Sequence, residues 1–141
     1  MQLTTFTDFG MRSLMYLASS PEKKCSVREI ADHYSISRNH LVKVVHKLAQ
    51  LGYILSTKGK GGGIALAPHS TELKLGDIVQ SLEPSMDLVE CFDASTNSCK
   101  ITESCQLKHY LFEANNAFIQ TLNKYTLADA VQNKLEIGFK A

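Results

Sequence analysis

The sequence predicts a mainly α chain that carries one small β-hairpin and closes with a long helix. Three observations predict it. Apolar residues recur at three- and four-residue spacing in several stretches, each opened or closed by Ser, Thr, Gly or Pro. Two short strand-like runs flank a single glycine-rich tip. The last apolar stripe, Leu107, Leu111, Ala114, Phe118 and Leu122, outlasts the others and leaves a wide apolar face near the chain end.

Thr5-Phe6-Thr7-Asp8 has the pattern of a capping box with Asp in place of Glu, and Phe6, Phe9, Gly10, Leu14, Leu17 and Ala18 follow at helical spacing. A first helix is therefore expected from about Phe6 to Ser19. Pro21 to Lys24 form a polar break. Ser26-Val27-Arg28-Glu29 is a full capping box for a short helix through about His33, and Tyr34, Ser35 and Ile36 make a turn. Ser37 is expected to cap a third helix with Leu41, Val44, Leu48 and Leu51 inward and Gly52 as its terminator. Tyr53 to Thr57 and Gly63 to Leu66 form the hairpin, Leu73 could extend its sheet, and Gly76 to Leu82 reads as a short amphipathic helix ending near Pro84. Residues 85–100 lack periodicity. Thr102 is then expected to cap the long helix, which runs to about Asn123.

Helix, tight turn, helix and hairpin in this order describe a winged helix-turn-helix domain, placed at residues 1–84 with the helix-turn-helix at about 28–51 and the wing at about 53–66. A cysteine-rich loop follows at 85–106, overlapping a dimerisation helix and C-terminal segment at 102–141. The wide face of the long helix, broadened by Tyr110, Ala117 and Thr121, exceeds what one small domain covers, so a two-fold homodimer is expected.

The chain has 141 residues, 44% of them hydrophobic, an ordinary globular content. Its first twenty residues include Asp8 and Arg12 and lack a continuous apolar run, which argues against a signal peptide or membrane span and for a cytoplasmic protein. The net charge of +1 conceals an asymmetry: residues 1–66 carry +5 and residues 67–141 carry −4. A basic amino-terminal half fits a polyanion partner, here double-stranded DNA.

On the third helix Asn39, Lys43, His46 and Gln50 fall opposite the apolar stripe, and all can donate hydrogen bonds. Ser37, Arg38, Asn39 and His40 occupy the helix start, the part of a recognition helix that reaches base edges, while Lys43 and Lys47 can reach phosphates. Lys58 and Lys60 charge the hairpin tip, and Gly61 and Gly62 let its backbone approach the minor groove. A phosphate-cradling nucleotide loop is excluded, because Lys60 is followed by Gly61 and a strand rather than by Ser or Thr and a helix.

Cys91, Cys99 and Cys105 are spaced C-x7-C-x5-C, too open for paired zinc knuckles and compact enough for one loop to wrap a larger inorganic centre. Soft thiolates suit an iron-sulfur cluster, and either a 4Fe–4S or a 2Fe–2S centre is compatible with the set. Such clusters usually take four protein ligands, and with three cysteines here the fourth place falls to a carboxylate, an imidazole or an open position. Cys25, next to the capping box of the second helix, reads as a structural thiol. A thiol-dependent enzyme is disfavoured, since no compact Cys/His/acid arrangement accompanies these cysteines.

Several segments together resemble the NsrR-type iron-sulfur repressors, winged helix-turn-helix regulators in the family that also includes IscR. They are residues 3–12 (LTTFTDFGMR), Ser37 to Lys43, Lys58 to Ile64, the three clustered cysteines, and Tyr125 to Asp129. The resemblance covers nearly the whole chain. It implies a DNA-binding repressor that responds to nitric oxide and controls nitrosative-stress defence genes. It also implies that Asp8 of the partner subunit completes the ligand set of Cys91, Cys99 and Cys105. Two departures stand out. The histidine that IscR-like proteins place three residues past the last cysteine is Lys108 here, with His109 one step further, which favours the NsrR type. The wing has Lys58 where Arg is frequent and Ala65 where a basic residue is common. A sensor of iron-sulfur supply or of oxidation is the alternative for the same site.

Overall fold

The computed structural model describes residues 1–132. Six α-helices and a two-stranded antiparallel sheet follow in the order α1 (Thr5–Ala18), α2 (Val27–Tyr34), α3 (Arg38–Gln50), β1 (Ile54–Thr57), β2 (Gly63–Leu66), α4 (Leu75–Leu82), α5 (Gln106–Leu122) and α6 (Leu127–Val131). The fold is mainly α with a hairpin wing, as expected. Residues 133–141 of the expected C-terminal segment lie outside the described residues.

The core is built from one face of each amino-terminal helix. Leu14 and Leu17 of α1, Ile30 of α2, Leu41, Val44 and Leu48 of α3, and Ile78 of α4 are all at most 2% exposed. Burying one such leucine contributes about 1.5–3 kcal/mol, so this cluster fixes how α1, α2 and α3 cross. Leu127 of α6 is also fully buried, so the chain returns after α5 to pack against α1. The return is made by backbone: Leu127 N–H donates to the Leu73 carbonyl at 2.9 Å and Leu75 N–H to the Tyr125 carbonyl at 3.0 Å.

The turn between α2 and α3 follows the expected chemistry. Ser26 Oγ accepts from Glu29 N–H at 3.1 Å while Ser26 N–H donates to Glu29 Oε2 at 2.6 Å, closing the capping box. At the other end Ser35 takes φ 54°, a left-handed conformation that lets Ile36 N–H bond back to the Ala31 carbonyl. In the hairpin, Ile54 pairs with Leu66 and Thr57 with Gly63.

Four local expectations are corrected. The cap of α1 is Thr4, whose hydroxyl accepts from Thr7 N–H at 3.3 Å. Asp8 therefore sits one position too late to close a box and instead pairs with Arg12 at 2.8 Å. The carboxylate that completes this cap comes from Glu83, which receives the Thr4 N–H at 3.1 Å together with the Thr4 and Thr7 hydroxyls. Ser37 precedes α3 but makes no side-chain cap bond. The third strand-like contact of the sheet is Cys25, not Leu73: Cys25 exchanges two backbone bonds with Ile64, at 2.9 and 2.8 Å, and Leu73 follows a 3-10 turn at Pro68–Glu72. Finally, Thr102 opens only a short 3-10 turn, because its hydroxyl is spent on the Cys99 carbonyl; α5 starts at Gln106 with Cys105 as its cap.

Candidate functional site

The candidate reading face is the polar side of α3. Leu41, Val44, Val45 and Leu48 are inward, which turns Arg38, Asn39, His40, Lys43, His46 and Gln50 outward, all exposed; Lys47 is half-buried and Ser37 stands exposed just before the helix. Sequence reasoning missed Val42, 47% exposed on the same helix. Its signal was its place one residue after Leu41, off the inward stripe. Phe6 and Phe9 of α1 meet His40, Lys43 and Val44 around a 300 Å³ cleft, so the two helices share this surface.

The wing carries exposed Lys58, Lys60 and Gly61 at its tip. Gly62 has a different task from the one expected of it. Its N–H donates to the Gly59 carbonyl at 3.0 Å, and an added Cβ would collide with the Thr57 carbonyl, so Gly62 closes the turn. Gly61, at φ 76° with open space around it, is the tip glycine whose backbone faces outward.

The cysteine loop joins α4 to α5. Cys91 lies in a 3-10 turn at Glu90–Phe92, Cys99 sits between Asn97 and Thr102, and Cys105 caps α5, its Sγ accepting from Lys108 N–H at 3.4 Å. All three thiols are free and half-buried. Short polar side chains hold the loop: Asp93 accepts from Ser95 N–H at 2.8 Å and from the Ser95 and Thr96 hydroxyls, and these bonds lower its pKa. Ser98 donates to Glu90 at 3.3 Å, linking the neighbours of Cys99 and Cys91. Among the described residues no three His, Cys, Asp or Glu side chains converge closely enough to hold a metal. The donor chemistry fits an iron-sulfur centre, since three unpaired sulfurs stand on one partly accessible loop with Cys105 at the positive end of a helix. Asp8 is held on α1 by Arg12, with both side chains close to half exposed. His109 is exposed on α5.

Cys25 is set apart from the other cysteines. It is 4% exposed against β2, and its thiol is pushed up to about 11 by burial and by the nearby Glu29 carboxylate, with Lys23 opposing. It is a core thiol.

Against this geometry, residues 3–133 match the Rrf2 family, described as iron-dependent transcriptional regulators. The chain belongs to the Rrf2 family. It is 45% identical over 138 residues to the HTH-type transcriptional regulator NsrR of Bacillus subtilis (strain 168), covering 97% of this chain and 94% of that one. It is 47% identical over 135 residues to NsrR of Shouchella clausii (strain KSM-K16), covering 95% and 91%. The T. potens IscR structure superposes with a TM-score of 0.75 at 23% identity, covering 96% of this chain and 90% of that one, a likeness of fold. This Rrf2 chain is thus a transcriptional regulator of the NsrR type and not an enzyme. No helix among the described residues is long and apolar enough to cross a membrane.

Proposed function

We propose that the protein is a nitric-oxide-sensitive repressor whose operator binding is set by an iron-sulfur cluster on the cysteine loop. The observation that carries the reading is the placement of three free thiols on the one loop that leaves α4. The end of α4 is bonded through Glu83 to the start of α1, and α1 supports the reading helix α3. Cys91, Cys99 and Cys105 would hold the cluster, with Asp8 of the partner subunit as the fourth ligand. When bound, the cluster supplies iron that reacts with nitric oxide.

The chain's own residues do the rest. Arg38, Asn39 and His40, with Ser37 just ahead of them, offer donors to base edges, and Val42 offers an apolar contact for a thymine methyl. Lys43, Lys47, Lys58 and Lys60 supply phosphate contacts, and the tip at Gly61 lets the wing backbone approach the minor groove. Residues 1–84 act as the reading unit, 85–106 as the sensing loop and 102–141 as the dimerisation segment. In α5 no residue is buried, and Leu107, Tyr110 and Phe112 are 62%, 62% and 55% exposed, which supports a second copy packing there. Dimerisation sets the spacing of two reading heads. A shift in that spacing worth only about 1.4 kcal/mol weakens operator affinity about tenfold.

The test is replacement of Cys91, Cys99 and Cys105 together by alanine in protein purified without oxygen. The expected result is loss of bound iron and sulfide with an intact fold, and operator affinity that no longer responds to nitric oxide. Wild-type iron content in the triple variant would end the proposal.

A further inference from the structure

We propose that Asn97 and Thr102 are positioning residues for the Cys99 sulfur, a role that deepens the cluster reading above and rests on it. Both residues bond the backbone of Cys99, one on each side of its Cα. Cys99 N–H donates to Asn97 Oδ1 at 3.0 Å, and the Thr102 hydroxyl donates to the Cys99 carbonyl at 2.8 Å. Asn97 Nδ2 then donates to Thr102 Oγ1 at 2.9 Å. A hydroxyl has one proton to give, and the Cys99 carbonyl is nearer than Asn97 Oδ1, which lies 3.3 Å away, so the proton belongs to the carbonyl. The three bonds close a ring: Cys99 N–H to Asn97, Asn97 to Thr102, Thr102 to Cys99 C=O. Asn97 and Thr102 polarise one another along this chain of donors, and the Cys99 Cα closes it covalently, so the ring is stiffer than its bonds taken singly.

The ring sits where stiffness matters. Thr102 opens the 3-10 turn that runs directly into Cys105, and Ser98, inside the ring, reaches Glu90 beside Cys91. One small network therefore references Cys99 to the backbone near both other thiols. Thr102 caps no long helix, so a capping role does not account for it. A sulfur on a loop without buried apolar support gains its position from such partners, as ligands of metal centres generally do.

The experiment uses full-length protein loaded anaerobically with ferrous iron and sulfide. Cluster release to excess EDTA is followed by visible absorption, and amide hydrogen exchange at Cys99 is measured on the unloaded protein. Thr102→Val and Asn97→Ala are each expected to release the cluster at least about tenfold faster. In Asn97→Ala the Cys99 amide should also exchange about tenfold faster, with the urea midpoint unchanged in both variants. Thr102→Ser should restore wild-type release. Wild-type release in both variants, a defect in Thr102→Ser equal to that of Thr102→Val, or a general loss of stability would overturn the positioning role. Cys99→Ala separates the two levels: if it holds the cluster like wild type, the ligand reading fails and this role with it; if it loses the cluster, only the ring is in question.

Discussion

Glu83→Ala should unfold the protein more easily, although Glu83 lies far from α1 in sequence. Its carboxylate accepts the Thr4 N–H at 3.1 Å, the Thr4 hydroxyl at 3.1 Å and the hydroxyl of Thr7, a residue with no solvent exposure. Hydrogen bonds to a charged acceptor are worth about 1.5–3 kcal/mol each, but these three share one half-exposed group, and Thr7 keeps a contact with Thr4 Oγ1 at 3.1 Å. The expected loss is therefore about 2–3 kcal/mol, or roughly 6–12 °C in the thermal midpoint. Glu83→Gln, which keeps one acceptor oxygen, should lose about half as much. Urea titration with an unchanged slope measures the loss, and a double-mutant cycle with Thr7→Val should return a coupling of about 1 kcal/mol or more. A Glu83→Ala variant within about 0.5 kcal/mol of wild type, with no coupling to Thr7, would refute the assignment of this carboxylate as the cap of α1.

Three further outcomes are expected. Lys43→Ala and Lys60→Ala should each weaken binding to all DNA sequences alike and reduce the salt dependence by about 0.9 log unit per log unit of salt, measured by fluorescence anisotropy across a salt series. For Cys25 the folded pKa of about 11 lies above the roughly 8.5 of an unfolded thiol, so its contribution to stability is complete below pH ~8.5 and is lost as pH rises toward 11. Urea midpoints at pH 8 and 10.5 should converge between wild type and Cys25→Ala, and Cys25 should be the last of the four thiols alkylated at pH 8. Asp8→Ala should leave the unloaded fold within about 0.5 kcal/mol of wild type, since it removes only an exposed pair with Arg12, while changing the visible spectrum and shortening the lifetime of the loaded form.

Where local chemistry and tertiary need agree, the sequence could be read directly. The Ser26 and Glu29 box, the Leu41, Val44 and Leu48 stripe and the glycine-rich wing tip satisfy their own backbone, and their pattern survives folding. The misread positions are those where a group outside the helical pattern took the partner. The cap of α1 falls at Thr4, which leaves Asp8 one position late and Glu83, far off in the chain, to supply the carboxylate, while the Cys99 carbonyl, three residues before Thr102, took its hydroxyl and left the cap of α5 to a cysteine. Cys25 was legible as a structural thiol, but its bridge to Ile64, in the place expected of Leu73, joins segments far apart in the chain. At the candidate site, residue types and spacing picked out α3 side chains that stand exposed and three cysteines that are free on one loop. The bonds that hold Cys99 became visible only with the backbone in place.

The most direct test of the central claim is a nitric oxide titration of the cluster-loaded protein on DNA that the loaded protein itself selects from a random pool, followed without oxygen by both visible absorption and anisotropy. Operator affinity is predicted to fall at least about tenfold in step with the change in the cluster spectrum, with oxygen and peroxide less effective at equal dose. Affinity that stays the same for loaded, unloaded and nitric-oxide-treated protein would contradict the account.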